Sequence, residues 1–579
     1  MSLYDYAWSR TFEITQKKPA ELKLLLTSKL DHPRLIRDKE GYSIILAKPR
    51  KENSSGYTLH SLEFPEAKRG AVLQMFSASI YHLGIHIVSS DYGIYRKWSE
   101  NKERYIANFT KSLVEDAAAD AYLKTYWSGI RPIIAYANAL SYIRLRAVNR
   151  NTRSSLSTDQ TVLSLRLAGT IKGKHYKKNA NDAKKVVSIL TDLEDGIYKR
   201  CRETKSDSAL SGRLEPSTTA QERLDAASGI WEILRDGNSP METLALPYGE
   251  YWGRSSVFSR GIDFGEDYTD ILRAAYSHLG IDFVEEEFSK EQARFLDEAT
   301  QVFEAQEDYD NRMRRSLKQY VKLGQELHFK SYCIPVEDYS EYTRVRSRLA
   351  GSIRRILEEL RKVKQTPDES PLEESGAIDL QAAIQVIASE SMRNDIFVKE
   401  ELLQKSEAWA ILIDSSLSLG LFEGDVRSIA VCLAEVAKNM ITKPDSWGLF
   451  AFNDTFQIIK DIYEHYSNRS RAKIGGLQHR GLSLLPDAIE LTAKALAKTS
   501  EDVKILLIIT DGVPVGYTSI DQKFSESIDR ARRANITPII IGMGNKNVKK
   551  LLKTSCTVEN TYGLMKQFVK TYIETQAYI

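Results

Sequence analysis

One short stretch in the C-terminal third of the chain constrains the fold more than any other. Residues 409–413 form an apolar run too short for a helix, and Asp414, Ser416 and Ser418 follow it. Such a run is typical of a buried strand in a parallel sheet, where ligands bind at the carboxyl ends of the strands. Three hard oxygen ligands at alternate positions suit Mg²⁺, which prefers octahedral oxygen coordination and keeps several waters. Taken alone, the pattern fits a polar turn after the strand equally well.

A second apolar strand of the same kind lies further along the chain. Residues 503–510 lead into Asp511 and a glycine, and between the two strands Ser483 precedes a helix that has Pro486 near its first turn. Strands and helices alternate throughout this region. We predict strands at 408–413, 446–452, 503–510 and 537–542, helices at 422–441, 486–499 and 523–534, and two closing helices. This alternation predicts a mainly parallel, doubly wound sheet covered by helices on both faces.

These oxygen-bearing residues together resemble the metal-ion-dependent adhesion site of von Willebrand factor A (VWA) domains. The family pattern is Asp-x-Ser-x-Ser, then Thr, then Asp, on successive loops at one edge of a parallel sheet. Here Ser483 stands in the Thr position, which keeps the hydroxyl but lacks the β-methyl that restricts the rotamer. The resemblance implies that a Mg²⁺ ion is held by Asp414, Ser416, Ser418, Ser483 and Asp511. It also implies an open coordination position that a partner's carboxylate fills.

The remainder of the chain is predicted to be mostly helical. We expect a multidomain protein with a mostly α-helical N-terminal region and a C-terminal α/β VWA domain. The predicted segments are a helical region at 1–205 with a small β-hairpin of strands 41–47 and 56–64, a helical middle region at 224–365, a linker at 366–400 and the VWA domain at 401–579. The linker begins with an acidic, proline-containing stretch.

Composition narrows the class of protein. A net charge of +3 over 579 residues gives no reason to expect a nucleic-acid surface. The four cysteines are scattered, which suits a reducing cytosol and argues against a disulfide framework or a structural zinc. The first residues lack the pattern of a signal peptide, and no apolar run approaches the roughly 18 residues that cross a bilayer. We therefore expect a soluble, cytoplasmic protein without a membrane partner.

A second candidate site lies in the helical region. His82 and His86 are four residues apart on a predicted helix, so both imidazoles lie on one face, as zinc ligands do in metalloproteases. The glutamate that would serve as general base between them is missing, and Glu115 or Asp116 could supply a third ligand. The alternative function is a zinc hydrolase using His82, His86 and Glu115, with the VWA domain as its recruiting module. Core or capping histidines are the more common explanation.

The whole arrangement resembles the VWA proteins that work beside MoxR-type AAA+ ATPases, and in particular the NorD/CbbO branch. The matching stretches are Val-Glu-Asp-Ala-Ala-Ala-Asp at 114–120, Ile-Pro-Val-Glu-Asp-Tyr at 334–339, Gly-Ala-Ile-Asp-Leu-Gln-Ala-Ala at 376–383 and Ile-Thr-Asp-Gly-Val-Pro at 509–514. The branch usually has Thr-Arg-Met-Gly where this chain has Ser-Leu-Leu-Pro at 483–486.

This resemblance implies an adaptor without catalytic activity of its own. It would couple a MoxR-type AAA+ ATPase to the remodelling, activation or metal-cofactor maturation of a client enzyme. The glycine-rich stretch at 169–174 is one residue short of a phosphate-binding loop, so the sequence offers no nucleotide site. A third hypothesis is a VWA scaffold that acts without an ATPase.

Overall fold

The computed structural model describes most of the chain. The described residues are 1–28, 30, 33–37, 41–52, 56–60, 62–152, 158–170, 180–207, 212–235, 267–364, 368–373, 377–378, 380–389, 397–401, 406–543, 552, 554–558 and 561–576. Residues 171–174 of the glycine-rich stretch lie outside the described chain, as do parts of the predicted linker.

The contacts divide the chain into two compact units, Met1–Asp310 and Asn311–Ile579. Unit 1 is mainly helical and unit 2 contains a mostly parallel α/β sheet, which confirms the predicted fold class. The predicted segment boundaries at 205, 224, 365 and 401 stay predictions.

Helices make up most of unit 1. They are α1 Leu3–Thr15, α2 Arg69–Ser89, α3 Tyr95–Trp98, α4 Arg104–Tyr126, α5 Arg131–Thr152, α6 Thr158–Ala168, α7 Ala180–Asp207, α8 Ala220–Leu234, α9 Tyr268–His278 and α10 Glu285–Leu323, whose last residues belong to unit 2. Helix α2 is buried on almost every side and packs against α1, α4 and α5. A helix that is apolar all round needs such surroundings, so α2 is the central element of this unit.

The segment containing α2 modifies the expectation that no part of the chain is apolar enough to cross a bilayer. By length and composition, Glu66–Ser89 is apolar enough to cross a membrane, although no uninterrupted apolar run of that length is present. Serine, glutamine and histidine interrupt its apolar residues, so no continuous apolar run is present although the mean hydropathy of the window is high. In the structure, 89% of its most apolar window is buried inside the protein.

Two small sheets accompany these helices near the N-terminus. Their strands are β1 Leu22–Thr27, β2 Arg34–Arg37, β3 Tyr42–Ala47, β4 Arg50–Glu52, β5 Gly56–Leu59 and β6 Leu62–Phe64. Strand β3 lies between β1 and β2, whereas β5 pairs with β4 and β6. The predicted hairpin between 41–47 and 56–64 is therefore wrong. The polar Arg-Lys-Glu strand β4 has no apolar alternation that could reveal it as the partner of β5.

Unit 2 is built on a seven-stranded sheet with the order β16-β15-β14-β11-β12-β13-β7. The strands of this unit are β7 Ser331–Cys333, β8 Asp368–Glu373, β9 Ala377–Ile378, β10 Phe397–Glu401, β11 Glu407–Asp414, β12 Trp447–Phe452, β13 Thr455–Lys460, β14 Val503–Thr510, β15 Ile536–Met543 and β16 Ser555–Val558. Every neighbouring pair in the large sheet is parallel except β12 and β13. Strands β8, β10 and β9 form a separate antiparallel sheet.

Helices cover both faces of the large sheet, as the alternation predicts. The helices of this unit are α11 Tyr339–Lys364, α12 Leu380–Ser389, α13 Glu423–Met440, α14 Asn468–Gly475, α15 Leu485–Leu496, α16 Ile520–Arg533 and α17 Thr561–Gln576. Residues 409, 411 and 413 of β11 join one core with α11, α13 and α17, and residues 408, 410 and 412 join the other with α15 and α16. One of the two predicted closing helices is α17. Strand β16 occupies part of the segment predicted for the other, and residues 544–551 lie outside the described chain.

The strand order fixes where a ligand can bind. The chain runs from β11 to β12 on one side and later returns to β14 on the other side of β11. In a doubly wound sheet this reversal opens a crevice beyond the carboxyl ends of the two central strands. Asp414 ends β11 and Asp511 directly follows β14, so both predicted acidic ligands lie at this crevice.

Candidate metal centre

The centre of the site is the carboxylate of Asp414. It lies at the end of the central strand and is 0% exposed. Its Oδ1 accepts a hydrogen bond of 3.0 Å from the backbone N–H of Ser416. Its Oδ2 accepts bonds from Ser483 Oγ at 2.9 Å and Thr510 Oγ1 at 2.8 Å. Three successive loops therefore converge on a single carboxylate.

The remaining predicted ligands lie around this carboxylate. Ser416 Oγ and Ser418 Oγ are 2.9 Å apart at the start of the short 3₁₀ helix Leu417–Phe422. Asp511 accepts a hydrogen bond of 3.1 Å from the N–H of Val513, which shapes its own loop. Ser416 is buried, Ser418 is exposed and Asp511 is half-buried. The cluster thus runs from the interior at Asp414 to solvent at Ser418 and Asp511.

Thr510 is part of the cluster and was not among the predicted ligands. Its hydroxyl donates to Asp414 and also accepts a hydrogen bond of 3.1 Å from the N–H of Gly512. Asp511 and Thr510 are adjacent in an extended chain, so their side chains point to opposite sides. Thr510 faces Asp414, and the loop that carries Asp511 is tied to the same hydroxyl.

The electrostatic environment favours a bound cation. Burial raises the pKa of Asp414 and the charge of Asp511 raises it as well, whereas hydrogen bonds from Ser416 and Thr510 lower it. A buried carboxylate next to a second carboxylate is costly unless a positive charge compensates both. The donors are carboxylates and hydroxyls, which are the oxygen ligands of hard divalent cations. The residues present therefore fit a divalent cation.

Backbone hydrogen bonds hold the three loops in register. Leu417 N–H donates to Gly481 O at 3.1 Å, and Val515 N–H donates to Ser483 O at 3.0 Å. Gly481 has a φ of +73°, and a Cβ there would lie 2.4 Å from Asp454 Oδ1. Any other residue at this turn is strained and collides with Asp454. The cluster is thus built on a fixed scaffold.

The helical unit contains a second group of metal-binding side chains, at α2 and α4. His82 Nε2 and His86 Nε2 are 3.1 Å apart, and Asp116 Oδ1 lies 3.0 Å from His86 Nε2 and 3.6 Å from His82 Nε2. Among the described residues, these three bring histidine and carboxylate ligand atoms within 4.8 Å of one another. The structure thus brings together the predicted histidines and the acid next to the predicted Glu115.

Glu115 has a different role from the predicted one. It is fully buried and binds Arg223 Nη1 through Oε2 at 2.6 Å, while its Oε1 accepts the hydroxyl of Tyr95 at 2.7 Å. Consecutive helical residues point about 100° apart, so only one of this acidic pair can face α2. The assignment of Glu115 as the third ligand is wrong, and Asp116 holds that position.

Comparisons with known proteins identify the sheet-containing part of the chain. Residues 410–572 match the von Willebrand factor type A domain. The chain matches no curated protein.

Three solved structures are similar to about a third of the chain, at low sequence identity. Manganese-loaded TRAP protein of Plasmodium vivax is 15% identical, with a TM-score of 0.22, and the match covers 29% of this chain and 73% of that one. A mutant of the PilB minor pilin of Streptococcus sanguinis is 13% identical, with a TM-score of 0.25, and the match covers 32% of this chain and 66% of that one. Proximal thread matrix protein 1 of the mussel byssus is 12% identical, with a TM-score of 0.23, and the match covers 30% of this chain and 48% of that one. The family match shows a VWA domain over residues 410–572, and the cluster around Asp414 lies at the edge of its sheet.

Proposed function

We propose that this protein is a non-catalytic adaptor that binds a partner's carboxylate through a Mg²⁺ ion at the VWA sheet edge. Asp414, Ser416, Ser418, Ser483 and Asp511 would hold the ion, directly or through water. The observation that carries the proposal is the convergence of Ser416, Ser483 and Thr510 on the buried carboxylate of Asp414. When bound, the cation supplies a coordination position for an anionic oxygen.

The charge balance at the site supports recognition of an acid. Only Asp414 and Asp511 bring negative charge, and the other ligands are neutral hydroxyls. A divalent cation with two carboxylates and neutral ligands retains affinity for a further anionic oxygen. A carboxylate of a partner protein is the group that fits.

The surroundings of the site support a protein partner in particular. Five aliphatic side chains on the three ligand loops are strongly exposed, and we call them the apolar rim. They are Leu417 at 69%, Leu421 at 95%, Leu482 at 49%, Val513 at 47% and Val515 at 41%. Backbone hydrogen bonds join the loops that carry Leu417, Leu482 and Val515. Exposed apolar groups around a polar centre are typical of protein interaction sites, so we expect the partner's acidic residue to be flanked by apolar ones.

The proposed partners are a MoxR-type AAA+ ATPase and a client enzyme. The resemblance of the motifs at 114–120, 334–339 and 509–514 to the NorD/CbbO branch supports this assignment. The VWA site would engage one partner and the helical unit the other, so that motion of the ATPase ring remodels the client. We place the adaptor in the cytoplasm, in keeping with four cysteines that form no disulfide.

A pull-down from native lysate, in Mg²⁺ and in EDTA, tests the proposal. Wild-type protein should retain an AAA+ ATPase in Mg²⁺ only, and Asp414→Asn should lose it at least about tenfold, because a direct ligand is removed. Ser415→Ala is the matched control. The Ser415 hydroxyl donates to Phe452 O at 2.9 Å on the neighbouring strand, outside the cluster. Partner retention in this variant should equal that of the wild type.

Two results would contradict the proposal. Retention that is equal in Mg²⁺ and EDTA, or undiminished in a folded Asp414→Asn variant, excludes a metal bridge. Metal-dependent capture of proteins without any ATPase would leave the metal bridge in place but reject the MoxR-type partner, in favour of a VWA scaffold.

A further inference from the structure

We propose that His82, His86 and Asp116 form a binding site for a first-row transition-metal dication in the helical unit, separate from the VWA site. The ligand set is two imidazole nitrogens and one carboxylate oxygen, from α2 and α4. Three protein ligands leave at least one coordination position for water or an external ligand.

The distances between the three ligand atoms fit this geometry. They are 3.0, 3.1 and 3.6 Å. Two ligand atoms of a tetrahedral site with bonds of about 2.0–2.1 Å lie about 3.3 Å apart. A metal ion therefore fits between the three atoms with small side-chain adjustments.

The protonation of the group also favours a cation. A single proton on His86 Nε2 can point at only one of its two neighbours, His82 Nε2 and Asp116 Oδ1. Neutral imidazole and carboxylate are the forms that bind metal. A dication satisfies all three ligand atoms at once.

Neighbouring contacts hold the ligands in place. His86 Nδ1 lies 2.8 Å from Ser90 Oγ, a contact of the kind that orients a metal-binding imidazole through its other nitrogen. Arg223 ties the two helices together by donating to Glu115 on α4 and, at 2.8 Å, to Ser89 O on α2. Arg223, Glu115 and Ser89 are fully buried, so the two helices that carry the ligands are held on a rigid frame.

The site remains accessible to a metal from solvent. The side chains of His82 and Asp116 keep 10% and 16% of their surface exposed, whereas His86 is fully buried. Imidazole ligands select zinc, iron, nickel or copper over magnesium. The site thus differs in chemistry from the all-oxygen cluster around Asp414.

Elemental analysis of the full chain tests this inference. The protein is purified without a polyhistidine tag, stripped with a chelator, reloaded with Zn²⁺ and washed. We expect one tightly bound Zn²⁺ per chain in the wild type and in Asp414→Asn, which removes the VWA ligand. Asp116→Asn and His86→Ala should bind Zn²⁺ at least tenfold more weakly. His60→Asn is the matched control, since His60 is a buried histidine of the same unit that contacts Ser79.

A second measurement needs no variant and guards against misfolding. X-ray absorption of the Zn²⁺-loaded wild type should show two imidazole ligands and no sulfur. Absence of stoichiometric Zn²⁺ in the reloaded wild type overturns the inference. So does a spectrum with fewer than two imidazoles, or full Zn²⁺ binding in a folded Asp116→Asn variant.

Discussion

At the scale of single residues, the oxygen cluster around Asp414 depends on hydroxyl groups that point at one buried carboxylate. Ser416 and Ser483 could be predicted because they belong to a spaced pattern. Thr510 could not, because its role depends on which side of the pleated strand faces the neighbouring loop. The structure shows that its hydroxyl both donates to Asp414 and accepts from Gly512.

The Thr510→Val variant tests the importance of this hydroxyl. Loss of one buried hydrogen bond should lower the free energy of unfolding in EDTA by about 1 kcal/mol. It should also reduce the stabilisation by Mg²⁺, which for wild type is about 2.7 kcal/mol at 100 times the Kd. Melting in EDTA and in Mg²⁺ measures both.

Thr492→Val serves as the control for the previous variant. Thr492 is also 0% exposed, but its hydroxyl donates to Ala488 O within α15 at 2.8 Å, away from the cluster. We expect an unchanged response to Mg²⁺. An unchanged response in Thr510→Val as well would show that this hydroxyl has no part in metal binding.

The choice between neighbouring acids marks another limit of prediction from sequence. The spacing of His82 and His86 correctly placed both on one face of α2. Glu115 was assigned to the zinc site rather than the neighbouring Asp116, although the sequence does not give the rotation of α4 about its axis. Packing decides it: Glu115 faces Arg223 and Asp116 faces the histidines.

At the scale of elements, strongly apolar strands were predictable and short or polar ones were not. Strands β11 and β14 each contain a run of five or more consecutive apolar residues, at 408–413 and 505–509, so both were predicted as buried strands. Strand β7 has only three residues, and β13 ends in a lysine that is completely buried. The position of such a strand is set by the neighbouring strand rather than by its own pattern.

The buried amine at the end of β13 gives a pH dependence. Lys460 Nζ donates to Pro444 O at 3.1 Å and to Asp461 O at 3.2 Å, and lies 4.5 Å from the ring centre of Trp447. Burial lowers the pKa of Lys460 to about 7, although Glu464 and Asp461 oppose this shift. Between pH 7 and the ordinary pKa of lysine, the unfolded chain binds this proton and the folded protein does not. Stability from this group therefore rises with pH across that window.

Substituting Lys460 by methionine should remove that rise. We expect the wild type to gain up to about 1.4 kcal/mol per pH unit from this group, and Lys460→Met to show a correspondingly flatter profile. Urea unfolding at pH 7 and pH 9.5 measures the slope. Lys504→Met is the control, because Lys504 also donates to backbone carbonyls but is partly exposed. Equal slopes for wild type and Lys460→Met would show that the buried amine does not titrate in this range.

At the scale of the whole molecule, the extent of the VWA-containing unit exceeds what the family pattern covers. The pattern begins at residue 410, and the sequence predicted a domain from 401. In the structure, α11 joins one core of the sheet through an apolar stripe. The residues of this stripe are Tyr342, Val345, Leu349, Ile353, Ile356 and Leu360. Its amphipathic pattern predicts a buried face but not the surface that buries it.

The Tyr342 hydroxyl binds Glu435 on α13, and Ser316 and Tyr320 near the end of α10 donate to Asp461 at 2.5 and 2.9 Å. Strand β7 adds a further edge by pairing with β13. Residues 311–364 thus contribute to both cores and to the sheet itself. We infer that they are an integral part of the folded unit.

Two fragments test whether the folded unit begins near residue 311 or at residue 401. Burial of one large apolar side chain contributes about 1.5–3 kcal/mol, so loss of the six residues of the α11 stripe removes about 9–18 kcal/mol, which is as large as the typical stability of about 5–15 kcal/mol. We expect a fragment of residues 311–579 to unfold cooperatively on heating and one of residues 401–579 to lack a cooperative transition. Calorimetry with circular dichroism makes the comparison.

If the shorter fragment unfolded cooperatively at the same temperature as the longer one, the boundary at 401 would be correct and α11 would be an accessory helix. The expected result would instead place the start of the folded unit before β7, because the sheet edge and one helical face come from residues that precede the family pattern.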